Sequence, residues 1–217
     1  MSMMHGAEPW ATRIGVPESF VPDGHGDPDG LVGGSAYGPL MAAVRGFLDD
    51  LAGAVPDADL AAGLTADVEA WRRRLRTQAV PEREQAFGHR VDLPGRGQVM
   101  APAFVMTARG PDSVEGTVTF GRFFLGGNGA VHGGAIALLL DEVLGRLSDT
   151  AGRTPARTAS LTVDFRAVTP VDEELVVRAW FEQEVGRKRY LAGEIRHGDV
   201  LCAQATGLFV SLTAEQS

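Results

Sequence analysis

The 217-residue chain carries a formal charge of −8, which argues against a nucleic-acid surface, since phosphate binding wants a basic stripe. Its 44% apolar content supplies a real core, and its length suits one domain with an extension. The lone Cys202 excludes an internal disulfide and a cysteine-based metal cluster; no apolar run is long enough for a membrane span, and no charged segment followed by an apolar one opens the chain, so a cytoplasmic protein is expected.

Residues 1–38 are rich in glycine, proline and aspartate, lack periodicity and read as an irregular, flexible tail. His5 and His25 in this tail have no companions at metal-ligand spacing. A helix over Pro39–Ala54 follows, with Leu40, Val44, Phe47, Leu48 and Leu51 in an apolar stripe. Asp57 or Asp59 caps a second helix, which puts Leu64, Val68, Trp71 and Leu75 on one face. Arg72, Arg73, Arg74 and Arg76 crowd its end, where positive charge complements the helix dipole. Both stripes need cover, so both helices are expected to pack on the domain that follows. Residues 39–96 thus form a two-helix extension and linker, and 97–217 a separate domain.

In that domain, Val99–Ala108 and Val114–Phe120 read as strands around a Gly110-Pro111-Asp112 turn. After the central stretch come strands at Thr158–Val168, Glu174–Val185, Arg189–Arg196 and Val200–Leu212. Two strands, a long helix and then hairpin-linked strands predict an α+β fold, an antiparallel sheet folded round one helix.

The central stretch is Gly126–Asp149, GGNGAVHGGAIALLLDEVLGRLSD. From Ala135 to Leu140 it has no polar side chain, which predicts a helix buried on every face by its own domain. Asp141 interrupts that run, and a buried carboxylate is costly unless paired, hydrated or used. Three readings compete. Asp141 could be a surface residue in the company of Glu142, Arg146 and Asp149. The glycine-rich entrance could cradle a phosphate on the helix N-terminus, although it matches neither established phosphate-loop pattern. Alternatively, free amides after His132 polarise a carbonyl while a carboxylate activates the nucleophile.

His132-Gly133-Gly134, an apolar run and Asp141 nine positions after the histidine resemble the signature of hotdog-fold acyl-CoA thioesterases of the phenylacetic-acid-pathway type. The likeness continues through Thr158-Ala159-Ser160-Leu161-Thr162-Val163-Asp164-Phe165, Thr169-Pro170-Val171, Leu175, Gly186-Arg187-Lys188 and Ala203–Val210, and covers roughly Val99 to Leu212. It implies a hotdog fold with an N-terminal helical extension. It also implies hydrolysis of a fatty or aromatic acyl-CoA to free acid and CoA, with no cofactor beyond the CoA of the substrate and no metal.

The resemblance assigns the thioester oxygen to the Gly133 N–H, with Gly134 beside it, and the role of general base or nucleophile to Asp141. Thr158 falls where the family has a Ser or Thr that helps to hold the water. Strand parity opposes this, because it sets Thr158 with Ser160 and Thr162, away from Leu161, Val163 and Phe165. His132 reads as a hydrogen-bonding residue at the helix entry, with a base role as the alternative. Many members carry Asn six residues before the histidine. Here that position is Gly126, and Asn128 is the nearest asparagine. For CoA the resemblance points to Arg187 and Lys188, and after them to Arg166. On one helix, Asp141 would lie about 12 Å from the first free amides at 1.5 Å per residue. If both act on one carbonyl, two antiparallel copies of the helix must meet, which predicts a homodimer or a dimer of dimers with composite sites. Ala137 and Gly145, four residues either side of Asp141, leave room for that approach. A non-catalytic acyl-CoA binder and a dehydratase are the alternatives.

Overall fold

The computed structural model describes residues 32–213. Most of the 1–38 segment, with His5 and His25, lies outside them. Helix α1 spans Tyr37–Gly53, with Pro39 in its first turn. It rests against the 3-10 turn Arg122–Phe124 and more lightly on the 3-10 turn Pro94–Gly97. The Asp49 carboxylate accepts from the Phe123 N–H at 2.9 Å, and the Arg45 guanidinium donates to the carbonyls of Ala101, at 3.1 Å, and Gln98.

Helix α2 spans Ala58–Arg76 and is capped by Asp57, whose side chain accepts from Leu60 N at 2.8 Å. None of its residues is buried, and it makes no extensive packing contact with the rest of the described chain. The expectation that both helices would cover the following domain therefore holds for α1 alone. An amphipathic pattern says that a helix has an apolar face, not which surface covers it. The inner face of the sheet is already filled by the central helix.

Six strands form one antiparallel sheet: β1 (Val105–Arg109), β2 (Ser113–Thr119), β5 (Ala156–Phe165), β6 (Glu174–Val185), β7 (Lys188–His197) and β8 (Val200–Ser211), in the order β1-β2-β6-β7-β8-β5. A small hairpin, β3 (Leu125–Gly127) and β4 (Ala130–Val131), leads into the central helix α3, Gly133–Ser148. Leu139, Leu140, Val143, Leu144 and Leu147 of α3 are fully buried against Val114, Val118, Leu175, Val177, Leu191, Ile195 and Phe209 from the sheet. Each such side chain contributes about 1.5–3 kcal/mol when buried. Close approach is needed here: a Cβ on Gly207 would stand 3.1 Å from the Leu144 side chain and 2.9 Å from that of Phe209. This is the hotdog arrangement, with helical residues placed before the sheet.

Three features differ from the sequence reading. The segment from Val99 to Phe104 is irregular, its Ala101 carbonyl being taken by Arg45 rather than by a strand, and Pro102 can donate to no ladder. β5 stops at Phe165 because the N–H groups of Arg166 and Ala167 both turn to the Cys202 carbonyl. Helix α3, finally, is covered by the sheet on one side only: Ala137, Leu138, Asp141 and Gly145 stay half-exposed in the single chain.

Candidate active site

The entrance to α3 is built by the β3–β4 hairpin. Asn128 and Gly129 form its two-residue turn with φ of 51° and 75°, the left-handed pair that a type I′ turn requires. That conformation accounts for Asn128 without a ligand. The hairpin returns the chain so that His132 N donates to the Phe124 carbonyl at 2.8 Å. His132 is the N-cap, and its Nδ1 accepts from the Gly134 N–H at 3.0 Å. An accepting Nδ1 leaves the proton on Nε2, so this imidazole holds the helix start, as expected of a helix-entry residue. The N–H groups of Ala135 and Ile136 go to the His132 carbonyl. Gly133 is left as the first residue of the helix, its N–H outside all of these bonds, with the Phe165 ring 3.2 Å from where a Cβ would stand.

Two turns further along α3, the half-exposed Asp141 faces β5. Thr158 Oγ1 donates to Asp141 Oδ1 at 2.8 Å. The parity objection disappears because β5 carries a bulge. Thr158 pairs with Phe209 and Ser160 with Leu208, so Ala159 is an extra residue in the ladder. With Ala159 set aside, Thr158 alternates in phase with Leu161, Val163 and Phe165, which face the helix. Nothing in the run TASLTVDF announces an inserted residue, and this is why alternation alone misplaced Thr158.

Glu142 lies on another side of α3 and is buried. Its carboxylate accepts from Arg146 at 2.9 Å, an i,i+4 pair along the helix, and from Arg96 at 2.7 Å, which the sequence did not indicate. Burial pulls the Arg146 guanidinium below its ordinary range, and the Glu142 charge opposes that shift. Arg96 reaches α3 from the Pro94–Gly97 turn with a left-handed backbone, φ 58°.

The remaining candidates lie apart from Asp141. Arg187 and Lys188 are exposed in the β6–β7 hairpin, and Arg187 donates to the Ser211 carbonyl at 2.8 and 3.0 Å. Lys188 pairs in register with Val210, and Val210 with Arg157, one rung from Thr158. Three cations, Arg157, Arg187 and Lys188, thus share that end of the sheet. Arg166 is exposed and paired with Asp164 at 3.1 Å, so part of its charge is already answered.

With this geometry in view, likeness to known proteins becomes informative. The thioesterase superfamily profile matches residues 128–203, which include His132, Gly133, Asp141 and Thr158. The crystal structure of a thioesterase superfamily protein superposes with a TM-score of 0.70 at 31% identity, covering 82% of this chain and 96% of that one. The chain belongs to the thioesterase superfamily. Among curated relatives of this superfamily member, acyl-coenzyme A thioesterase THEM4 from Bos taurus is 35% identical over 99 residues, 45% of this chain and 40% of that protein. Human acyl-coenzyme A thioesterase THEM5 is 28% identical over 98 residues, 44% of this chain and 39% of its own length. The chain thus spans about two fifths of the length of the curated relatives it matches. Among the described residues, no helix is long and apolar enough to cross a membrane.

Proposed function

We propose that this superfamily member is a cytoplasmic acyl-CoA thioesterase that hydrolyses a fatty or aromatic acyl-CoA to free acid and CoA at a site shared by two copies of the chain. The single observation that carries the reading is the Thr158–Asp141 hydrogen bond, made by a half-exposed carboxylate on the same helix whose first N–H remains open. A hydroxyl on Oδ1 fixes the carboxylate and leaves Oδ2 to work on a water molecule or on the carbonyl itself.

In the hydrolysis, the Gly133 N–H, with the α3 dipole behind it, holds the thioester oxygen as it becomes an oxyanion. Asp141 takes a proton from water as the water oxygen attacks the carbonyl carbon; equally, its own oxygen can attack, forming an anhydride that water then opens. The tetrahedral intermediate collapses, the carbon–sulfur bond breaks, and CoA leaves as a thiolate that picks up a proton. Gly133 and Asp141 are about 12 Å apart along one helix, whereas an oxyanion donor must lie within about 3 Å of the same carbonyl. One subunit cannot bring both to it, so a second α3 running antiparallel completes each site. The open stripe of Ala137, Leu138, Asp141 and Gly145 supports this reading. So does Gly145, where, among the described residues and apart from the helix's own backbone, nothing stands closer to an added Cβ than Phe209 at 3.9 Å. Arg187 and Lys188, with Arg166 as a lesser contributor, attract the CoA phosphates.

The test is thiol release from short, medium, long and aromatic acyl-CoAs. The chain as it stands releases thiol from at least one class, and Asp141→Asn lowers kcat by about 10²–10⁴-fold, the range of a positioned general base, while its sedimentation stays the same. Full activity in that variant removes Asp141 from the mechanism. CoA binding without turnover on any chain length would favour an acyl-CoA binder instead.

A further inference from the structure

Helix α2 presents an uncovered apolar stripe: Leu60, Val68, Trp71 and Leu75 are 55%, 43%, 58% and 64% exposed. Leu64 lies on the same line at 100° per residue. Charge along the helix is segregated. Asp57, Asp59, Asp67 and Glu69 occupy its start and middle, and Arg72, Arg73, Arg74 and Arg76 its end. Glu69 and Arg72 pair within the helix, and Arg74 lies over the Trp71 ring at 4.4 Å. Asp67, which borders the stripe, makes no ion pair among the described residues.

We propose that α2 pairs antiparallel with the α2 of a second copy of this chain. One alignment covers Leu64, Val68, Trp71 and Leu75 and answers the charge of Asp67 at the same time. Leu64 meets the partner's Leu75, and Val68 meets the partner's Trp71. Asp67 then lies beside the partner's Arg74, which borders the stripe on the same side. The same contacts recur through the two-fold axis, as an isologous pair demands. A parallel pair would set arginine against arginine, and an anionic lipid surface would repel the acidic first half of the helix. The antiparallel copy instead places an Asp67–Arg74 pair on each side of the two-fold axis. This pairing does not depend on the chemistry at Asp141.

Cross-linking on the full-length chain tests it. Cys202 is buried, so a short bismaleimide addresses only a thiol introduced on α2. In this alignment the two copies of residue 68 lie about 4.5 Å apart along the axis, and those of residue 60 about 28 Å, at 1.5 Å per residue. Val68→Cys should therefore give covalent dimers and Leu60→Cys should not. Adding Asp67→Arg to the Val68→Cys chain should lower the yield about fivefold, the upper end for exposed ion pairs, and adding Arg74→Asp as well should restore it. No dimer at Val68→Cys overturns the proposal. Equal yield at both positions overturns the antiparallel direction, and an unrestored yield in the double exchange overturns the ion pairs that set it. Capture by phosphatidylserine vesicles in place of cross-linking would put a lipid surface where the second copy is proposed.

Discussion

Among the described residues the Thr158 side chain makes one hydrogen bond, to Asp141, and its loss can be measured apart from the fold. The hydroxyl is exposed and supports no packing, so Thr158→Ala should leave the melting temperature nearly unchanged. Without that hydroxyl the carboxylate loses its fixed position, and since a misplacement of about 1 Å can cost roughly 100-fold, kcat in thiol release should fall by roughly 10- to 100-fold, with Thr158→Ser retaining most of the rate. An unchanged rate in Thr158→Ala would show that Asp141 needs no such support. Gly126 is informative at the same scale. A Cβ there would stand 2.8 Å from His132 Cα, so the asparagine that the family resemblance leads one to expect cannot be reinstated without opening the β3–β4 hairpin.

Glu142 joins elements that are distant in sequence: α3 through Arg146, and the Pro94–Gly97 turn through Arg96. Replacing it by Gln leaves two guanidinium groups facing an uncharged amide. Removing one partner of a buried pair costs about 3–5 kcal/mol, and the partial exposure of Arg96 favours the lower figure. Chemical denaturation of Glu142→Gln should report that loss while Asp141 keeps its bond to Thr158; a loss below about 1 kcal/mol would mark the ion pairs as surface decoration. At this scale much was legible in advance. The 3.6-residue period of α1 and α2, the unbroken apolar run of α3 and the alternation of β6 to β8 are all local patterns that the sequence displays directly. The bulge at Ala159, the β3–β4 hairpin and the partner of Arg96 were not. The bulge and the Arg96 contact depend on partners far away in the chain, which leave no periodic trace in the local sequence; the hairpin has a local mark, Asn128-Gly129, but is too short to show a period.

For the molecule as a whole, the proposed composite site predicts rescue between two dead chains. Gly133→Pro removes the oxyanion N–H yet suits the first helical position, and His132 at φ −60°, ψ 130° already has the backbone that precedes a proline. Its ring has to displace Phe165 by a few tenths of an ångström. Mixed and re-equilibrated with Asp141→Asn, it should recover about a quarter of the parent activity, because half of the random dimers carry one intact site of two. Continued inactivity of the mixture would place both groups of each site in a single chain. The spacing of Gly133 and Asp141 along α3 has a final corollary for the living cell. A catalyst completed by its twin works in proportion to the square of its abundance when scarce, so modest changes in synthesis would switch thioester turnover far more sharply than they change the amount of protein.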